Sequence, residues 1–150
     1  MTDDTSDSAS DPTGRGEPEV PETEPDALSI ARRLVRSARV ATIATIGRDG
    51  TPNASYGAVA TLADGRPVML LSTLSPHTRN IAADPRVSLL FCDPLPPPVV
   101  DPMTVARVTL TGRMERLADP ARARSRFLAR NPPAALYAGF GDFAFHALAV

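Results

Sequence analysis

The sequence predicts a mainly β fold, a small antiparallel barrel with a few flanking helices. Three observations carry that reading. Short β-branched or alternating segments outnumber helical ones, and two turn signals, GRDG at 47–50 and ADGRP at 63–67, join the first three of them at hairpin spacing. A chain of 150 residues, 43% of them apolar, can bury one core of ordinary size and needs no second fold.

Each element has its own justification. Asp26 can cap a helix whose apolar positions Ile30, Leu34, Val35 and Ala38 recur at helical spacing, with Arg32, Arg33 and Arg36 outside. Residues 39–46, 51–62 and 67–72 read as a three-stranded meander. Ser75 followed by Pro76, with Asp84-Pro85 as a stop, predicts a two-turn helix over 76–83, capped by the Ser75 side chain. A strand over 86–91 comes next. Residues 92–102 form a proline-laden loop that no central strand can hold. The stretch 105–117 alternates, with Ala106, Val108, Leu110, Gly112 and Met114 on one face and Arg107, Thr109, Thr111 and Arg113 on the other. Asp119 as cap and Pro120 at the first helical position start a helix that runs to Arg130 and ends at Asn131-Pro132, its arginines read as a solvated face. PAALYAGFGD (133–142) predicts a short helix, and 143–150 a last strand in which His146 faces away from Phe143 and Phe145 and is given no role.

Composition narrows the chemistry. All sixteen basic residues are arginine, so Schiff-base catalysis and a lysine-bearing P-loop are excluded. One cysteine, Cys92, and two histidines cannot fill a Cys/His zinc site or build an internal disulfide; Cys92 reads as a small buried or half-buried hydrophobe. The start lacks the basic and apolar regions of a signal peptide, and no apolar run reaches membrane-spanning length, so a cytoplasmic protein without a membrane partner is expected. Residues 1–25 hold eight acids and one arginine with almost nothing to bury, the signature of a disordered acidic tail ahead of a domain over 26–150. That domain carries fifteen arginines against nine acids, an excess of six positive charges that suits an anionic ligand. Nucleic acid is not expected as a partner, since the arginines are scattered and the chain has no tryptophan, two tyrosines and five phenylalanines for stacking.

The polar stretch between two apolar strands, STLSPHTRN at 72–80, is the candidate site. Helix N-terminal amides, the hydroxyls of Ser72, Thr73, Ser75 and Thr78, and the polar or cationic His77, Arg79 and Asn80 make a phosphate-binding arrangement. The same residues would also serve a plain capped connector.

The string LLSTLSPHTRNIAADPRVSLLF (70–91), followed by VTLTGRMERL and a helix ending in NP, resembles the FMN-binding split barrels of the pyridoxamine 5'-phosphate oxidase-like superfamily, in particular their haem-utilisation branch. The resemblance covers about residues 28–150. It implies a homodimer with FMN at the subunit interface and a flavin-dependent oxidoreductase activity, the flavin carrying the chemistry and no catalytic side chain identified. It places Ser75, His77, Thr78, Arg79 and Asn80 near the phosphate, and Ser72, Thr73, Ser55 and Tyr56 near the ribityl chain and ring. The alternatives it implies are a haem-binding or haem-degrading protein, or a cofactor-less binding module. Ser55 and Ala60 stand where true oxidases carry an arginine and a lysine. Because the last strand runs to Val150, a domain that is C-terminally incomplete, one strand short of closure, is left open.

Overall fold

Alternation becomes a barrel because the inward-facing positions are large and apolar and each strand finds a neighbour on both sides. The computed structural model describes residues 26–94 and 101–150, so the acidic segment 1–25, with its expected disorder, and residues 95–100 of the proline-rich loop lie outside the described residues. The elements in chain order are α1 (Ala27–Ser37), β1 (Val40–Ile46), β2 (Pro52–Thr61), β3 (Pro67–Ser72), α2 (Pro76–Ala83), β4 (Arg86–Cys92), β5 (Arg107–Arg116), α3 (Ala121–Arg130) and β6 (Phe143–Ala149), with 3₁₀ turns at Pro102–Thr104 and Pro132–Leu136.

All strand pairs are antiparallel, and the sheet closes in the order β1-β2-β3-β6-β5-β4 through β4 against β1. Among the described residues, six strands close the barrel. The hairpin signals hold: Gly50 and Gly65 sit at φ 82° and 93°, the left-handed region that glycine enters without a Cβ clash.

Two apolar layers hold the fold. The interior contains Ile43, Val59, Met69, Leu89, Phe91 and Leu148; Leu34 and Val35 of α1 plug one end of it, and Ile81 of α2 covers the other. Outside, α3 lays Ala123 and Phe127 on Ala60, Val68 and Phe145, the two rings meeting edge-on with centroids 5.6 Å apart. Ala60 is therefore part of a helix–sheet contact.

Four local expectations change. Helix α3 begins at Ala121: Pro120 holds the N-cap position and Asp119 Oδ1 accepts from Ala121 N at 3.1 Å, because Asp119 bonds two residues on, as a turn-forming aspartate does. The arginines of α3 are braces as well as a solvated face, since Arg124 Nη1 donates to Ala138 O (2.7 Å) and Arg126 Nε to Thr61 O (2.9 Å). The helix predicted in PAALYAGFGD is only the 3₁₀ turn Pro132–Leu136, too rich in proline and glycine to propagate. Cys92 is exposed, because the inward position of that strand pair belongs to Phe91.

Candidate functional site at the α2 end of the barrel

Helix α2 crosses the barrel end where β1 turns into β2 and β3 ends. Strand β2 meets β3 only at Val59, Ala60 and Thr61, so its first half is paired on the β1 side alone, and α2 lies beside that opening. Cross-strand neighbours share a face. Ser55 opposes the buried Ile43 and therefore points inward, its hydroxyl 3.2 Å from Asn53 Oδ1. Tyr56 opposes Thr42 and stands on the outer face, 74% exposed. Adjacent strand residues cannot line one site within a single subunit, so the sequence-predicted pair is divided.

The remaining candidates gather at one end. Ser72 Oγ donates to Asp142 Oδ2 at 2.5 Å and accepts from Leu74 N at 3.1 Å, while Thr73 N donates to Asp142 O at 2.8 Å. These bonds fasten the β3–α2 turn to the loop before β6. Ser75 has the extended N-cap backbone, yet its side chain makes no capping bond. The sequence-predicted cap is thus realised by backbone alone: Ser75 O accepts from Arg79 N at 3.3 Å, and Pro76 has no amide to satisfy. Asn80 Nδ2 donates to Thr45 Oγ1 at 3.0 Å, tying α2 to a hydroxyl buried inside β1.

Three groups are left over. Thr78 is buried, 7% exposed, and its Oγ1 is the buried side-chain atom without a hydrogen-bond partner among the described residues. Such a group costs about 1–3 kcal/mol if nothing satisfies it. Arg79 is exposed beside a hollow of about 580 Å³ lined also by Gly47, Arg48, Asp49, Asn80 and Ala82. His77 is half-buried, and burial holds its imidazole below the ordinary histidine range. His146 lies inward on β6 opposite Met69 with its Nδ1 3.1 Å from Ala144 O. Its basicity is lowered chiefly by burial, which the bond to Ala144 O opposes and the charge of Arg116 reinforces.

Sequence reasoning missed Asp142 and Thr45. Asp142 follows GFG, a turn signal that was spent on a helix; Thr45 carries no local signal, because only the α2 crossing brings Asn80 to it.

The sequence profile of the pyridoxamine 5'-phosphate oxidase family matches residues 30–148. The chain belongs to this family. Among relatives, a chloroplastic noncanonical haem oxygenase from Arabidopsis thaliana is 37% identical over 100 residues, covering 65% of this chain and 29% of that protein. A solved haem-binding protein from Mycobacterium smegmatis is 35% identical, with TM-score 0.76 over 85% of this chain and 52% of its own. A protein of unknown function from Agrobacterium tumefaciens is 30% identical, with TM-score 0.74 over 81% of this chain and 52% of its own. The chain thus spans 29% of the curated relative and about half of these two structures. No helix among the described residues is long and apolar enough to cross a membrane.

Proposed function

We propose that this chain is a haem-binding or haem-degrading split barrel that holds its cofactor at the α2 end, two copies together forming the site. The observation that carries the reading is the 35% identity, over 85% of the chain, to a protein named for haem binding. The donor set fits. Burial keeps the His77 imidazole neutral near pH 7, with a lone pair available to iron. Exposed Leu74 and Phe140 sit on the two segments joined at Asp142 and offer apolar surface to a porphyrin, and the exposed guanidinium of Arg79 suits its carboxylates. When bound, haem would supply the redox chemistry. The protein's own part is to present the imidazole, shield the ring from water and neutralise the carboxylates.

A second reading, an FMN-dependent oxidoreductase of the pyridoxamine 5'-phosphate oxidase type, is favoured by the orphaned Thr78 hydroxyl. It lies in the first turn of α2, beside free amides and with Arg79 next to it, where a phosphate would satisfy it. Ser72, Thr73, Ser75, His77, Arg79 and Asn80 would then surround the phosphate and ribityl chain. Ser55 would face the same end from β2, and Tyr56 would join only from the outer face of a second copy. That face also exposes Val40 and Leu90, 42% and 37% accessible, and a homodimer would cover it.

Titration of the purified protein with hemin and with FMN, followed by absorbance, separates the readings. The expected result is a saturable Soret band that shifts in His77→Ala. If hemin binding is unsaturable while FMN binds, with Arg79→Ala weakening FMN about ten- to a hundredfold and sparing riboflavin, the flavin reading replaces the haem one. Uptake of neither ligand would leave a binding module.

A further inference from the structure

At the opposite end of the barrel, the C-termini of α1 and α3 meet over the turn between β2 and β3, and their arginines interlock. Arg130 Nη2 donates to Arg36 O at 2.9 Å and to Ser37 O, the last carbonyls of α1; Arg39 Nη2 donates to Arg130 O, the last carbonyl of α3, at 2.8 Å. With Arg126 Nε held on Thr61 O, the guanidinium groups of Arg126 and Arg130 are tethered beside a hollow of about 490 Å³ that Arg36 also lines, with Ala60, Leu62 and Ala129 among its apolar lining.

The charge there is not compensated. Ion pairs among the described residues join Arg33 to Asp93, Arg66 to Asp64 and Arg86 to Asp84, and none includes the three arginines of the hollow. The two helix C-termini offset about half a charge each, which leaves an excess of about two positive charges. The neighbouring hollow shares Leu62, Ala63 and Arg126 and adds Arg66 and Arg122. Its charges partly cancel, since Asp64 pairs with Arg66 at 2.8 Å and Asp119, which accepts from Ala121 N at 3.1 Å, shares the lining with Arg122 and Arg126.

Pinning one nitrogen of a guanidinium leaves the others free and already oriented. Arg126 keeps both terminal nitrogens, Arg130 keeps Nε and Nη1, and the Arg36 side chain makes no hydrogen bond among the described residues. For Arg126 and Arg130, little conformational freedom remains to be lost when an anion docks. We infer that this hollow binds a small phosphate-bearing anion, at a site separate from the α2 end and independent of which cofactor binds there. Its lining has no aromatic ring to stack a base, which favours a small anion over nucleic acid.

The test is calorimetric titration of the full chain with inorganic pyrophosphate, without haem or FMN, at about 0.15 M ionic strength, where distant charges are screened. Saturable binding is expected, weakened about tenfold by Arg36→Gln and by Arg126→Gln and unchanged by Arg79→Ala at the other end. Arg36→Gln removes no hydrogen bond of the fold, so its melting temperature should match the parent. Absence of saturable heat overturns the site, as does binding that survives both glutamine variants and disappears in Arg79→Ala. A single-stranded oligonucleotide that binds more tightly than pyrophosphate and is lost in the same two variants would also overturn it, in favour of a nucleic-acid surface.

Discussion

The two ends of the barrel treat their polar side chains in opposite ways. Where α1 and α3 meet, guanidinium groups are locked onto helix-terminal and turn carbonyls, and an apolar layer centred on Phe127 and Phe145 lies beneath them. At the α2 end, Ser72 and Asn80 are tied into the fold, but the Ser75 side chain is not used as a cap, Thr78 Oγ1 has no partner among the described residues and Arg79 reaches solvent. One end therefore holds its arginines in place by internal bonds and leaves only their spare nitrogens, whereas the other keeps whole polar side chains that the fold does not use. A buried hydroxyl such as that of Thr78 lowers stability when nothing satisfies it, so it marks a place where a ligand can offset the loss.

The largest effect that would sharpen this contrast belongs to the α3 layer. Phe127→Ala removes a fully enclosed ring and should destabilise the protein by about 3–5 kcal/mol in urea unfolding. Cofactor affinity, measured at temperatures where the variant remains folded, should be little changed. If affinity falls in step with stability, the two ends are mechanically coupled and the contrast fails.

Arg130→Gln comes next. It breaks the bonds to Arg36 O and Ser37 O and should cost about 1–2 kcal/mol, again with the α2 end intact. Equal midpoints for variant and parent would show that these bonds are exchanged for water without loss.

Thr78→Val keeps the shape and deletes the unpaired hydroxyl, so stability should hold or rise by up to about 1 kcal/mol. FMN affinity should fall several-fold if the hydroxyl meets the phosphate. A clear loss of stability would mean that the hydroxyl is satisfied within the protein, and the α2 end would lose its distinguishing feature.

The smallest effect is that of pH. Burial lowers the basicity of His77 and His146 below the ordinary histidine value of about 6.5, so the unfolded chain takes up protons first as pH falls. Their contribution is fully present above about pH 6.5 and is lost as pH drops through the lower folded-state values. Melting temperatures recorded from pH 8 to pH 5 should decline, and His146→Leu should flatten part of that decline. Asp84 sits at the C-terminal end of α2, where hydrogen bonds from Arg86 hold its carboxyl at about 2, so its contribution disappears only in stronger acid. A decline that is the same in the His146 variant would assign the effect to His77.

Local patterns alone determined a good deal of this protein. The meander, α2 with its proline start and Asp84-Pro85 stop, and the alternation of β5 were legible because each rests on neighbours in the chain: turn glycines, proline geometry and side-chain periodicity. The string at 72–80 marked α2 as the candidate site for the same reason. What depended on residues far apart in sequence was decided by the tertiary structure. Ser55 and Tyr56 were divided by the pairing of β2 with β1, Cys92 turned outward because Phe91 took the interior, and Asn80 found Thr45 only once α2 lay across the barrel end. The arginines that looked like a solvated face of α3 became braces because the folded chain brings the carbonyls of Thr61, Ala138, Arg36 and Ser37 within their reach. A backbone acceptor leaves no mark on residue identity, so bonds of that kind become visible only when the chain is folded.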